Sequence, residues 1–494
     1  MRISESQFFV DRDSGISLQA QLRERIAAAI LARRFMPGQK LPSSRGLANH
    51  LGIARITVSL VYQDLVADGY LESAARSGFF VAEDPPGLMT APARVPEAQK
   101  PDVVGWEQRL GRRYQTMRGL AKPLDWRAYP YPFIYGQLDP ELFPHDDWRD
   151  CARRGLGKRE FDQVSGDSFN ADDPKLVDYI LSHSLPSRGV LSQPDEVLVT
   201  LGAQNALWTV IELLSKATPG LRVAMEEPGY SYLREVLRLT GCDMVPIPVD
   251  EKGLDPDALP EGLDLVCVTP SHQAPTCATM PMERRRRLLQ LASERNFLVL
   301  EDDYDFEMSF LKPASPALKA EDTEGRVIHI GSFSKPLFPG LRLGYLAAPA
   351  PFIAEARGLR ILVMRHPPGG PQRTTAHFLA QGHYNAHVNR LRNAFRKRRS
   401  IMLKAFEDEG ITGVGGSDHG GAGFWIEGPK GLNTEQLAED LRADGVLIEH
   451  GSVFYAAENP PQNFYRMAYS SIPERAIPEG VARVARRLRA MGFG

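Results

Sequence analysis

The most chemically suggestive run of the chain surrounds one lysine: Gly331-Ser332-Phe333-Ser334-Lys335-Pro336-Leu337-Phe338-Pro339-Gly340-Leu341-Arg342. It follows Val327-Ile328-His329-Ile330, which reads as a buried strand, so Lys335 stands near a strand's carboxyl end. A desolvated lysine amine loses its proton more easily and can then form a Schiff base with an aldehyde. Ser332 and Ser334 offer hydroxyls and Arg342 a two-pronged guanidinium, the donors that a bound phosphate needs. A second phosphate element is Thr200-Leu201-Gly202-Ala203-Gln204-Asn205. There a strand ends, glycine permits close backbone approach, and a helix begins whose free amides can hold the same phosphate. Alone such a turn is usually structural, but the lysine run gives it weight. The third element is Leu300-Glu301-Asp302-Asp303-Tyr304-Asp305. A carboxylate beside a pyridine-type nitrogen keeps it protonated and strengthens the ring as an electron sink. A tyrosine hydroxyl beside a phenolate oxygen tunes the imine. Four acids in five residues repel one another, so in isolation this run reads equally well as a solvated loop.

These residues require a scaffold that gathers strand ends. Val197-Leu198-Val199, Leu221-Arg222-Val223-Ala224, Leu265-Val266-Cys267-Val268, Phe297-Leu298-Val299-Leu300 and the run before Gly331 all read as buried strands. Helical patterns such as residues 204–214 and 283–294 alternate with them. This order predicts an α/β domain with a mostly parallel sheet, helices on both faces and ligands at the strands' carboxyl ends. The domain starts near residue 129. Residues 83–128 are punctuated by Pro85, Pro86, Pro92, Pro96, Pro101 and Pro123 and read as an extended linker.

Residues 1–82 form a separate, mainly helical unit. Leu18, Leu22, Ile26 and Ile30 define a first amphipathic helix, and Met36-Pro37-Gly38 stops it. Ser43 or Ser44 caps a second helix carrying Leu47, Ala48 and Leu51. A turn at Gly52 leads to a third, from Ala54 to about Asp68, with Val58, Val61, Tyr62 and Leu65 inward and Arg55 and Thr57 outward. Helices so joined form a helix-turn-helix, whose second helix enters the major groove. There arginine grips guanine or phosphate, and threonine contacts phosphate or a thymine methyl. Gly69-Tyr70-Leu71-Glu72 and Gly78-Phe79-Phe80-Val81 read as two arms of a wing around Arg76. Residues 1–82 carry 10 Lys+Arg against 7 Asp+Glu, leaving 49 against 54 in the remainder, so the basic excess lies where DNA would need it. The four cysteines, Cys151, Cys242, Cys267 and Cys277, show no C-x-x-C spacing and no disulfide framework. No signal peptide and no 18-residue apolar run appear, so the cytoplasm is expected, with no membrane partner and no metal site.

The stretch PGQKLPSSRGLANHLGIARITVSLVYQDLVADGYLESAARSGFFV resembles the winged helix-turn-helix of the GntR family. That resemblance implies DNA contacts at Ser43, Ser44, Arg45, Arg55, Thr57, Arg76 and Gly78. It departs at Ala54, where the family has a capping serine, and at Ile56, where it has a polar residue. From about residue 130 onward the three strand-end elements, with Glu227-Pro228-Gly229-Tyr230, Val268-Thr269-Pro270-Ser271-His272-Gln273 and Tyr465-Arg466-Met467-Ala468, resemble the fold-type I, aspartate-aminotransferase-like enzymes that use pyridoxal 5′-phosphate. By that resemblance Lys335 forms the internal aldimine, Asp302 pairs with the ring nitrogen and Tyr304 with the ring oxygen. Ala203, Gln204, Ser332, Ser334 and Arg342 surround the phosphate, Tyr230 stacks on the ring, and Arg466 holds a carboxylate. Ala274-Pro275-Thr276-Cys277 replaces the enzymes' Asn-Pro-Thr-Gly, which leaves the ring oxygen to Tyr304. Tyr232 stands where the GABA-responsive relative has a second carboxylate-binding arginine. Within residues 161–176, whether Phe161, Phe169 or Asp173 completes the phosphate site is open.

Together the halves resemble the MocR/GabR regulators. The expected function is a DNA-binding, homodimeric transcriptional regulator that senses an amine or amino acid through external aldimine formation at Lys335. An active aminotransferase with an appended DNA-binding module is the alternative, because the lysine, aspartate and arginine of transamination are all present.

Overall fold

The computed structural model describes residues 2–74, 77–87, 104–111, 114–120, 122–137 and 139–493. They separate into two compact units, Met1–Arg109 and Leu110–Gly494. In the small unit the helices α1 (Leu18–Leu31), α2 (Ser44–Leu51) and α3 (Arg55–Ala67) are followed by the antiparallel strands β1 (Leu71–Ala74) and β2 (Gly78–Val81). Leu22, Ile26 and Ile30 of α1 are fully buried against Leu47 of α2 and Val58, Val61 and Leu65 of α3. Each such side chain contributes about 1.5–3 kcal/mol by leaving water. Ser43 is the cap of α2: its Oγ accepts from the Gly46 amide at 3.0 Å. Gly52 closes α2 at φ +64, a conformation that favours glycine. Ala54 precedes α3 and makes no side-chain cap. Tyr62, buried in the core, donates its hydroxyl to the Pro42 carbonyl at 3.0 Å and so ties α3 to the entry of α2.

The large unit is built on an eight-stranded sheet of β3 (Val197–Thr200), β4 (Arg222–Glu227), β5 (Asp243–Asp250), β6 (Gly253–Leu254), β7 (Leu265–Val268), β8 (Leu298–Asp303), β9 (Val327–Ser332) and β10 (Gly344–Ala347). The spatial order is β3-β10-β9-β8-β7-β4-β5-β6. The neighbours from β9 through to β5 are parallel, while β10 runs antiparallel to both β9 and β3. All five strands expected from the sequence belong to this sheet. The central strands are buried on both faces, as their unbroken apolar runs require. One apolar cluster joins β3, β4 and β7 to helix α4 (Ala203–Ala217), and a second packs β7 and β8 against α5 (Met282–Arg295). A smaller four-stranded sheet holds β11 (Val414–Gly415), β12 (Gly423–Glu427), β13 (Glu449–His450) and β14 (Phe464–Ala468). The sequence reads residues 83–128 as linker. Within the second unit Trp126 is buried with Ile134 and with Leu447, the latter too distant in the chain for local patterning to reveal. Among the described residues no helix is long and apolar enough to cross a membrane.

Candidate functional site

Three strand ends converge on a cavity of about 190 Å³ lined by Lys335, Asp302, Tyr304, Ala203, Gln204, Tyr230 and Arg466, among others. β9 ends three residues before Lys335, β8 ends in the acidic run, and β3 ends two residues before Gly202. β8 and β9 are parallel neighbours with their carboxyl ends side by side, and β3, running the same way across the antiparallel β10, brings its own end to the same edge, so motifs far apart in sequence meet.

Lys335 projects into this cavity, where solvent still reaches it while protein charge encloses it. Its Nζ lies 4.7 Å from the Tyr135 ring centroid and 5.8 Å from that of Tyr304. Gly136 sits opposite at φ +71, and a Cβ there would come within 2.6 Å of Nζ. Burial, and then the Lys122 ammonium, push the amine down to about 8, against the partial support of Asp305. That direction favours the uncharged, nucleophilic amine relative to an ordinary lysine.

The acidic run is buried rather than solvated, and three of its four carboxylates have partners. Glu301 meets His329 at 2.9 Å, and Asp303 takes Arg188 at 2.6 Å and the Ser271 hydroxyl at 2.5 Å. Asp305 accepts from the Tyr135 hydroxyl at 2.5 Å and meets His272 Nδ1 at 3.0 Å. Asp302 is the exception: its Oδ1 is buried with no hydrogen-bond partner among the described residues. Burial first, then Asp303, push this carboxyl up to about 7, although Lys335 opposes the shift. A buried acceptor without a donor is costly. A protonated pyridine nitrogen in the cavity would supply the missing donor. The Tyr304 hydroxyl donates to the His272 carbonyl at 3.0 Å and lines the cavity.

The turn after β3 has the form of an anion cradle. Gly202 adopts φ +77, ψ 175 at the start of α4 and offers no side-chain cap to the helix amides. A Cβ there would lie 3.3 Å from Arg342 Nη2 and 3.5 Å from Ser334 Oγ, so both donors converge on this turn. Arg342 donates to the Leu201 carbonyl at 3.0 Å, and Ser334 Oγ accepts from the Leu343 amide at 3.2 Å. The Gln204 Oε1 is buried without a partner among the described residues. Ser332 is not brought to this cavity. As the last residue of β9 it lines a separate hollow with Tyr345 and Tyr384, and its Oγ accepts from the Ser334 amide. Asp173 caps a helix at Lys175 and Leu176 and binds Arg373 at 2.6 Å, whereas Phe161 and Phe169 are exposed.

Arg466 projects from β14, between the rings of Tyr135 (4.5 Å) and Phe454 (4.8 Å). Its Nε donates to Glu449 at 2.6 Å. Lys122 and Glu449, with Tyr135, His272 and Asp305, complete the site without having been singled out as site residues from the sequence. Asp305 and His272 lie inside runs that drew notice; nothing around Lys122 or Glu449 sets them apart. Ala274 lines the cavity, and Cys277 takes φ +61, the left-handed conformation that its turn imposes where glycine would be at ease.

In the small unit Ser43, Arg45, Arg55 and Gly78 are exposed, and Ser44 and Thr57 are half-buried. Arg55 Nε lies 3.5 Å from Ser44 Oγ, so the heads of α2 and α3 present one polar face. Gly78 opens β2 at φ +108. Arg76 lies outside the described residues.

The orphaned Asp302 carboxylate and the glycine cradle fit the ring and phosphate of one cofactor, and they define an aminotransferase-like, pyridoxal 5′-phosphate domain carried beside a winged helix-turn-helix. Residues 173–484 match the family of aminotransferase class I and II, and residues 18–81 match the bacterial regulatory proteins of the gntR family. The HTH-type transcriptional regulator TauR of Rhodobacter capsulatus is 52% identical over 489 residues, covering 99% of this chain and 100% of that protein. The probable rhizopine catabolism regulatory protein MocR of Rhizobium meliloti is 32% identical, covering 96% and 94%. The solved structure of LysN, an α-aminoadipate aminotransferase of Thermus thermophilus complexed with N-(5′-phosphopyridoxyl)-L-leucine, matches with a TM-score of 0.68 at 29% identity, covering 78% of this chain and 98% of that one. The chain belongs to the MocR/GabR family of DNA-binding transcriptional regulators, with a GntR-type reader and an aminotransferase-like domain that binds pyridoxal 5′-phosphate.

Proposed function

We propose that this regulator senses a small primary amine or amino acid at Lys335 and transmits occupancy of the cavity to its DNA-binding unit. When bound, pyridoxal phosphate supplies an aldehyde carbon that condenses with amines and a ring that reports the event by its absorbance. Lys335 would hold that carbon, where an effector amine would compete with it. Asp302 would keep the ring nitrogen protonated, and Tyr304 and Tyr230 would serve the ring oxygen and the ring face. The α4 amides at Ala203 and Gln204, with Ser334 and Arg342, hold the phosphate. Ser332 supports that group through the Ser334 amide rather than by direct contact. Arg466 binds the effector's acid group.

On DNA, Arg45 and Arg55 contact phosphate or guanine, and Ser43, Ser44, Thr57, Arg76 and Gly78 border the backbone. Ile56, 64% exposed beside Arg55, suits a thymine methyl. The protein works in the cytoplasm as a homodimer, since paired readers match two half-sites.

The single observation that carries this reading is the unpartnered Asp302 carboxylate beneath the Lys335 cavity, in a chain whose other half is a DNA reader. The test is fluorescence anisotropy of the loaded, full-length protein on the DNA upstream of its gene, at fixed salt, titrated with primary amines. Amines that shift the cofactor absorbance are expected to change DNA affinity by about 5–150-fold, the usual size of two-site coupling. A shifted absorbance with unchanged DNA affinity, accompanied by multiple turnovers with 2-oxoacids, would establish an aminotransferase instead.

A further inference from the structure

The opening stretch of the large unit supplies two residues to the cavity, Leu120 and Lys122. It is pinned at three points. Arg234, itself buried, donates from Nη2 to the Arg118 carbonyl at 3.0 Å and from Nη1 to the carbonyls of Val453 (3.0 Å) and Tyr455 (2.7 Å). Gly119 lies against the Tyr232 ring so closely that a Cβ would meet its hydroxyl at 2.9 Å. Lys122 donates to the Tyr135 carbonyl and pairs with Glu449 Oε1 at 3.3 Å.

Glu449 is shared between two cations. Its Oε2 takes Arg466 Nε, and its Oε1 also accepts from the Tyr135 amide at 3.1 Å. One carboxylate therefore balances one of the two positive charges at this end of the cavity and leaves the other unbalanced. Enclosed charge favours a counter-ion. Burial holds the Lys122 amine below its ordinary value, with Glu449 opposing and Arg466 adding to the shift, and Lys122 in turn depresses Lys335. An anion at this point would relieve both. Tyr232, uncharged and occupied by Gly119, does not fill that need. Leu120, Ala274 and Phe454 line the cavity with apolar surface suited to methylene groups.

We infer that Lys122 and Arg466 together bind the acid group, carboxylate or sulfonate, of an effector whose primary amine reaches Lys335. Lys122 thereby sets effector specificity and links occupancy to the chain segment that runs on to the DNA-binding unit. This rests on the sensing role proposed above. The effector class is an amine separated from its acid group by a short carbon chain. Lys122 and Arg466 grip the acid end, and Glu449 keeps both cations in place while the cavity holds no ligand.

The test uses the loaded, full-length protein and three probes that share a three-carbon chain on the amine: 4-aminobutanoate, 3-aminopropanesulfonate and propylamine. Affinity is read from the cofactor absorbance, and DNA affinity is followed by anisotropy in parallel. The wild type is expected to bind one or both acid-bearing probes more tightly than propylamine; the tighter of the two identifies the acid. Lys122→Met should weaken that probe about tenfold or more relative to propylamine, the size expected for losing a charge-assisted contact; the ratio cancels the change that the lost Lys122 charge makes at Lys335 for every amine. Lys122→Arg should restore most of the preference. A propylamine response that persists shows that the variant is folded and loaded. The same preference for the acid-bearing probe over propylamine in wild type and Lys122→Met overturns the role of Lys122 while leaving sensing intact. No absorbance change with any amine in the wild type overturns the sensing role itself, and this proposal with it.

Discussion

Asp302→Asn isolates the cost of the unpartnered carboxylate. Asp302 is buried, its Oδ1 has no donor among the described residues, and its carboxyl is pushed from 3.8 up to about 7. Between these values the folded protein keeps a proton that the unfolded chain releases. Stability of the cofactor-free protein therefore falls as pH rises from about 4 to about 7, and the deficit is complete above that range. Full ionisation costs the fold roughly 4 kcal/mol, of which roughly 1.4 kcal/mol develops between pH 6 and pH 8.5. Asparagine has nearly the same shape and no charge to bury. Urea unfolding of the cofactor-free proteins at the two pH values should show the variant more stable at both, with the gap widening by roughly 1.4 kcal/mol at pH 8.5. Titrating groups that do not interact with Asp302 are common to both proteins and cancel in the difference. After cofactor addition the order should reverse, because the ring nitrogen gives the wild-type carboxylate its missing donor. A gap that stays constant between pH 6 and pH 8.5, or a variant no more stable than wild type without cofactor, would refute the reasoning.

Gly202→Ala places a Cβ 3.3 Å from Arg342 Nη2 at a φ of +77. That backbone region costs a non-glycine residue about 1–3 kcal/mol, so the turn should shift and the dissociation constant for pyridoxal phosphate should rise about tenfold, read by equilibrium dialysis. Arg45→Ala and Arg55→Ala should each weaken DNA binding and lower the salt slope of the binding constant by about one, without moving the melting of the large unit. Retained affinity in both, in anisotropy at fixed salt, would place the DNA face elsewhere. Ser43→Ala removes the Oγ that holds the Gly46 amide and should cost the small unit about 1 kcal/mol, seen by calorimetry of the full chain.

Much of this was legible in the sequence because it is carried by local patterns. The apolar runs around Val197, Val223, Val266, Val299 and Ile328 are too short and too β-branched for helices, and each became a strand of the central sheet. Ser43 capped α2 and Ala54 left α3 uncapped, as side-chain chemistry at those positions requires. The acidic run was ambiguous, since four adjacent carboxylates repel unless partners arrive from elsewhere. Those partners, Arg188, His329, His272 and Tyr135, come from other elements, so only the folded chain distinguishes Asp302 from its neighbours. Ser332 and Ser334 look equivalent in sequence, yet one ends a strand and faces a different hollow while the other lies in the following turn. Lys122 was hidden in a proline-punctuated stretch, because its partner Glu449 lies in the smaller sheet, more than 300 residues away.

Borohydride reduction of the full-length protein, followed by peptide mass analysis, tests the central claim most directly. Without added amine the account predicts a reduced pyridoxyl group on the Lys335 peptide and on no other. With a saturating effector amine it predicts loss of that label and recovery of the pyridoxyl group on the amine, in step with the change in DNA affinity. An unmodified Lys335 in the loaded protein, or a label that no amine displaces, would contradict it.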